Sequence, residues 1–420
     1  MKLLGLFSFL LLFFSVNLFS QDIDYAKRCI KKLSSPEFNG RGYADEADKI
    51  AAGYIALQFD SLKLLKFNND YFQKFPVSVN SITNVSISVG DSLLVPGVDY
   101  MVGGESPSIK GEFPIEYLDS KVINDKGQLL KFLFKDLSKS FVAIDTTGVI
   151  EKDIVTDLES IRKDNLCKAK GLISFSEGKL TYHISDEEKA FATIRMNPKK
   201  LNHAAKIKVN IKSKLNTAYQ TQNIVAYIQG EIDSFIVFTA HYDHLGRMGK
   251  DVYFPGANDN ASGVAMAIDF ARNYASLGKK PHYSIAVILL SAEELGLLGS
   301  SFYVNNPLFP LSKIKFLFNL DMVGTGEKGI KVVNGSIFKP EFELLQKINN
   351  ADSLLPVISA RGEAAISDHY YFYKSGVKSF FIYTQGGIAE YHNIYDKAET
   401  LPLTEYANLF KLILKFVDRY

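Results

Sequence analysis

Phe235-Ile-Val-Phe-Thr-Ala240-His241-Tyr-Asp243-His244-Leu-Gly246 begins as six apolar or β-branched residues and ends in two imidazoles and a carboxylate. A short continuous apolar run closed by a turn glycine is the pattern of a strand buried on both faces. Working outward, Ile224–Ile228, Ser284–Leu290, Ile314–Leu320 and Ser379–Tyr383 repeat it. Between most of these runs the apolar residues fall at helical spacing, over Ala261–Ala275, Glu294–Val304, Glu341–Asn349 and Asp368–Lys374. Strands alternating with helices predict an α/β fold, with a mixed, largely parallel central sheet flanked by helices. Tyr406, Phe410, Ile413 and Val417 make the stripe of a closing helix. Ala47, Ile50, Ala51, Tyr54 and Ile55 make that of an early one, behind the turn Gly40-Arg41-Gly42.

The organisation follows from changes of texture along the chain. Residues 1–20 combine a basic start at Lys2, an apolar run from Leu3 to Phe14 and small or polar residues up to Ser20. That layout predicts a secretory signal peptide cleaved near Ser20-Gln21, hence a secreted or periplasmic protein with no stable membrane insertion after cleavage. The run is shorter than the roughly 20 residues that span a bilayer. Residues 21–76 are expected to be a helical part of the main domain. Residues 77–215 are expected to be an inserted β-rich domain, with strand-like Asn84–Val89, Ser140–Asp145 and Gly171–Phe175 between polar turns. Residues 216–420 hold the strand–helix alternation. Apolar residues at 47% and charged residues at 22% describe an ordinary globular chain. A formal charge of +2 gives no footprint for nucleic acid or an anionic membrane. Cys29 and Cys167 are too few for a disulfide framework; they pair with each other or remain separate thiols.

Chemistry concentrates in five segments where the chain leaves predicted strands or enters helices, the position at which open α/β sheets carry their sites. The first is His241-Tyr-Asp243-His244. The others are Gly256-Ala-Asn-Asp259-Asn260-Ala-Ser262-Gly263, Ser291-Ala-Glu293-Glu294-Leu-Gly296, Asn319-Leu-Asp321-Met-Val-Gly324 and Glu390-Tyr391-His392-Asn393. Two imidazoles with carboxylates are a ligand set suited to Zn²⁺. If two metals sit roughly 3.5–4 Å apart, one carboxylate must bridge them. Asp259, at a turn opening a helix, can turn both oxygens into a cleft. Adjacent Glu293 and Glu294 point in different directions, so one can ligate while the other remains a base. Metal charge offsets the repulsion between them.

These segments resemble, in order, those of the M28 family of metallopeptidases, from Asn223 to the C-terminus. The resemblance implies two Zn²⁺ per chain, held by His241, Asp259, Glu294, Asp321 and His392. It implies Glu293 as general base, Asp243 orienting His241, and Tyr391 stabilising the oxyanion as in some members. Asn260 departs from the Asp that many members carry there, without loss of a ligand. Ser367-Asp368-His369 resembles the family's helix-opening segment, with Asp368 as a cap or a support to the ligands. The implied function is an aminopeptidase acting on the N-terminus of a peptide substrate. Alternatives on the same fold are a glutaminyl cyclase-like protein, which relies on pocket tryptophans that this chain lacks, and a carboxypeptidase-like one, for which Arg361 is the candidate clamp. A receptor-like protein without catalysis is a third.

Other features are read more plainly. Gly324-Thr-Gly326-Glu-Lys-Gly329 matches a dinucleotide-binding spacing, but the strand-like Ile330–Val333 follows where a helix is needed. His244 is expected to support the first metal loop or simply to pack. His183, His203 and His282 lie outside the motifs and are read as surface or core residues. Ser140–Asp145 with Asn165-Leu-Cys167-Lys-Ala-Lys-Gly171 resembles the core of a protease-associated domain; the competing reading is an unrelated insertion that shapes the cleft.

Overall fold

Along the strand Ile232–His241, alternate side chains enter different cores. Ile236, Phe238 and Ala240 join one cluster, while Phe235 and Val237 join another on the opposite face. A strand buried on both sides needs apolar residues at both parities, which is why it reads as a continuous hydrophobic run. In the computed structural model, which describes residues 22–150, 158 and 163–420, it lies in the middle of the sheet. The expected signal peptide, residues 1–20, lies outside the described residues.

Ile232–His241 pairs in parallel with Tyr283–Leu290 on one side and Ile314–Leu320 on the other. Ile314–Leu320 pairs in parallel with Ser379–Thr384. Antiparallel strands flank this core: Lys206–Ile228 lies against Tyr283–Leu290, and Ile330–Val333 against Ser379–Thr384. The sheet is therefore mixed and largely parallel. One face is covered by helices Ile23–Leu33, Ala47–Ser61, Ser262–Ala275, Lys339–Asp352 and Tyr406–Arg419. Phe238 of the sheet stacks on Phe270 at 4.2 Å between ring centroids, and Phe270 stacks on Phe410 at 4.3 Å. The other face packs Tyr303 of helix Leu298–Asn305 and Phe372 of helix His369–Lys374.

The helix expected from Glu294 starts later, at Leu298. Gly296 and Leu297 adopt left-handed backbone, and both of their N–H groups donate to the Glu293 carbonyl at 2.9 Å. Turn chemistry thus overrides the helical spacing there and leaves the glutamate pair in a turn.

Two long strands, Phe72–Val89 and Lys206–Ile228, run antiparallel from the central sheet out into the insertion, through register pairs Phe72↔Ile224 to Ser88↔Lys208. Both pass through the expected boundaries at 77 and 215. Further out, Ile109–Leu118 pairs antiparallel with Lys206–Ile228, and Phe141–Ile144, Gly171–Phe175 and Ala192–Met196 follow it in parallel. The insertion also carries helices Ser120–Ile123 and Lys126–Leu133, opened by the caps Asp119 and Asp125, where the sequence reading sees only β character. Its main cluster includes Leu245, Met248, Val252 and Phe254, from the loop behind the central strand. Cys29 and Cys167 are free and buried in different clusters. Among the described residues no helix is long and apolar enough to cross a membrane.

Candidate metal centre

Parallel strands deliver their C-terminal ends to one edge of a sheet. His241 is the last residue of its strand, Asp321 directly follows Ile314–Leu320, and Glu293 and Glu294 follow Tyr283–Leu290. His392 comes from the segment after Ser379–Thr384, and Asp259 from the turn preceding helix Ser262–Ala275. Ala292, Met322 and His392 take left-handed backbone, so the chain turns sharply beside or at each of these groups.

Asp259 divides its oxygens between the two imidazoles. Its Oδ1 is 3.3 Å from His241 Nε2 and its Oδ2 is 3.2 Å from His392 Nε2. His241 Nε2 also lies 3.4 Å from Asp321 Oδ1, and His392 Nε2 lies 3.2 Å from Glu294 Oε2. Each imidazole nitrogen thus faces two carboxylates, and one carboxylate is common to both. Candidate ligand atoms of His241, Asp259 and Glu294 lie within 4.8 Å of one another, as do those of His241, Glu293 and Asp321. Nitrogen and oxygen donors at this spacing fit one or two zinc-like ions.

Supporting groups fix these side chains. Ser367 donates to Asp321 Oδ2 at 2.8 Å, and Asn319 Nδ2 donates to Ser367 at 2.7 Å. His244 Nδ1 is 2.8 Å from Glu294 Oε1, so it meets the glutamate turn and not only its own loop. Asp243 lies nearer to the glutamate turn than the family pattern implies. Its carboxylate accepts from the Glu293 and Glu294 N–H groups at 3.3 and 3.4 Å and from the Tyr43 hydroxyl at 2.8 Å. His241 Nδ1 is 3.1 Å from the Asp243 carbonyl but 3.8 Å from its carboxylate, so the main chain is its closer partner. Asn260 explains the departure from Asp at this position. It donates to the Leu320 carbonyl at 2.9 Å and accepts from the Gly263 and Met322 N–H groups, a mixture that a carboxylate cannot supply. Asp368 is buried beside His241 and makes no cap bond to its helix. Tyr391, 46% exposed, stacks on His392 with centroids 3.8 Å apart.

Sequence reasoning misses three contributors. Arg41 is fully buried and donates five hydrogen bonds, all to backbone carbonyls: Leu33, Tyr242, Pro255, Gly256 and Asp259. It fixes the Asp259 turn through its main chain. Gly256 is needed there because a Cβ would lie 2.4 Å from the His244 ring and 2.7 Å from Arg41 Nη2. Asp396 accepts from the Asn258 and Asp259 N–H groups at 2.9 to 3.1 Å. The Gly40-Arg41-Gly42 turn was the available signal for Arg41, and the short distance from His392 was that for Asp396. The third is His183, whose Nδ1 lies 3.2 Å from His392 Nδ1. The reading of His183 as a surface or core bystander is corrected: its chain segment folds back from the insertion onto the ligand.

Electrostatics sort the carboxylates. Burial pushes Glu293 well above the usual carboxylate range; His241 opposes this, while Glu294, Asp321 and Asp368 add to it. At Glu294 burial pushes upward too, but His392 and the His244 hydrogen bond hold the carboxyl down at about 2. Asp259 is held well below its ordinary value against burial by its imidazole partners, His241 first. Burial lowers His392, yet Glu294 and Asp259 outweigh it and raise the ring to about 10. Burial raises Asp368 and Asp396 each to about 7, and Asp243 to about 6. Seven carboxyl groups packed with four imidazoles and one arginine require further positive charge if all are to ionise, which a divalent cation supplies.

The sequence model of Peptidase family M28 matches residues 223–417. Aminopeptidase YwaD of Bacillus subtilis is 32% identical over 181 residues, 40% of this chain and 37% of that protein. Leupeptin-inactivating enzyme 1 of Streptomyces exfoliatus is 35% identical over 124 residues, 29% of this chain and 27% of that protein. The matched stretch thus spans well under half of either relative. A solved zinc aminopeptidase from Bacillus subtilis superposes with a TM-score of 0.71 at 21% identity, covering 95% of each chain. A peptidase M28 precursor from Shewanella amazonensis does so with 0.70 at 19% identity, covering 94% of this chain and 93% of the other. The shared fold therefore includes the insertion.

Proposed function

Residues 223–417 carry a peptidase family M28 domain, and on that premise we propose that this protein is a two-zinc aminopeptidase acting on the free N-terminus of peptides. One observation carries the reading: Asp259 presents a different oxygen to His241 and to His392. In this reading His392 and Glu294 would hold one Zn²⁺ and His241 and Asp321 the other, with Asp259 placed to serve both sides. Bound there, the ions offset the carboxylate charge and lower the pKa of the attacking water towards neutrality. Glu293 stays out of the ligand set and takes the water's proton, then passes it to the leaving amine. Tyr391 carries its hydroxyl proton near neutral pH, as a phenol does, so it can donate to the oxyanion. The remaining carboxylate charge favours a substrate with a free α-ammonium group. The insertion, residues 77–215, forms a wall of the cleft, and the protein works outside the cytoplasm after loss of residues 1–20. Arg361, the candidate clamp of the carboxypeptidase alternative, is exposed on the edge strand Ile358–Arg361.

Zinc-reconstituted protein should contain two zinc ions, release the N-terminal residue of unblocked peptides and stop on chelation. N-acetylated peptides should be spared, and Asp259→Ala should lose zinc and activity together. A single zinc with Asp259→Ala unchanged, or equal cleavage of blocked peptides, would sink the proposal. Cyclisation of N-terminal glutamine or release of C-terminal residues would favour the alternatives.

A further inference from the structure

His392 uses Nε2 towards Asp259 and Glu294, at 3.2 Å each. A ring nitrogen that is to bind a cation must be bare, so the proton of neutral His392 sits on Nδ1 and needs an acceptor. The hydrogen-bonding partner of that atom is the Nδ1 of His183, at 3.2 Å, 209 residues earlier in the chain. Two imidazole nitrogens in contact must divide the roles, one donating and one accepting. With His392 donating, His183 accepts through a bare Nδ1 and carries its own proton on Nε2.

The segment that presents His183 is pinned to both halves of the molecule. The Tyr182 N–H donates to the His392 carbonyl at 2.8 Å, and the Tyr182 ring stacks on Phe254 with centroids 4.6 Å apart. The Asn80 N–H donates to the Ser185 carbonyl at 2.8 Å. Gly104 lies flat against the segment: a Cβ there would come within 2.5 Å of the His183 carbonyl. A side chain on such a pinned stretch can hold another ring in place.

We propose that His183, supplied by the insertion, is a positioning residue of the metal centre, accepting the Nδ1 proton of His392 and thereby aiming Nε2 at the metal. The inference rests on the two-zinc reading. It assigns to the insertion a part of the site.

The test is zinc affinity, measured by competition with a chromogenic chelator. His183→Phe keeps a ring but lacks the acceptor, and should weaken the site by about 10–100-fold, the usual effect of losing such a partner. His183→Asn places an oxygen near the lost Nδ1 and should return affinity to within a few fold of wild type. Metal-free unfolding curves for both variants check that the fold is intact, a readout that separates positioning from simple destabilisation. Wild-type affinity in His183→Phe overturns the inference, as does His183→Asn binding no better than His183→Phe. Wild-type protein that never takes a second zinc overturns the two-zinc reading and this inference with it, whereas unchanged variants of a two-zinc wild type overturn this inference alone.

Discussion

Glu293 and Glu294 are consecutive residues with opposite electrostatic fates, one pushed towards its protonated form and the other held ionised at about 2. Environments that drive paired carboxyls apart are the usual mark of divided acid–base and ligand duties. Glu293→Gln, which keeps the shape and removes the proton acceptor, should therefore bind zinc normally and lose at least about 10²–10⁴-fold in kcat. Glu294→Gln should lose zinc affinity as well as rate. Steady-state kinetics with parallel metal analysis checks both; a Glu293→Gln enzyme within tenfold of wild type would show that another group is the base. At this scale the sequence was informative wherever a polar residue ended a buried strand, as His241 and Asp321 do. It was silent on Arg41 and His183, because their roles depend on partners about 200 residues away and on no local pattern.

Among elements, strand positions were legible because burial on both faces leaves an uninterrupted apolar run; Ile314–Leu320 and Ile330–Val333 stand where they were read. The second of these removed a dinucleotide site on context alone. The helix after Glu294 was misplaced because left-handed residues, invisible to hydrophobic spacing, delay its start to Leu298. The Asp259 turn depends on an element outside the family-matched region, the short turn that carries Arg41. Arg41→Lys keeps the charge but has three donors where the arginine makes five bonds. At least two buried carbonyls then lose their partner, at about 1–3 kcal/mol each, so the metal-free protein should be destabilised by about 2–6 kcal/mol. Denaturant unfolding with wild-type and variant proteins measures this directly. An unchanged midpoint would mean that water or backbone movement satisfies those carbonyls.

At the scale of the molecule the question is whether the insertion folds as a unit of its own. Its main cluster holds residues such as Ile82, Tyr100, Phe141 and Ile207. That cluster also buries Leu245, Met248, Val252 and Phe254 from the metal-bearing half. Melting the insertion alone would expose these four side chains, at about 1.5–3 kcal/mol each, or about 6–12 kcal/mol together. The total is comparable with the roughly 5–15 kcal/mol that stabilises a whole domain. Melting it would also open the ladder between Phe72–Val89 and Lys206–Ile228, whose inner end belongs to the central sheet. Calorimetry should therefore record one transition for both halves. Zinc at about 100 times its dissociation constant should stabilise that transition by about 2.7 kcal/mol per linked site. If His183 joins the insertion to the metal centre, amides in residues 77–215 should gain hydrogen-exchange protection on zinc binding along with those near His241. Two separate transitions, with only one responding to zinc, would mean that the shared strands do not couple the halves and that the insertion is an independent domain.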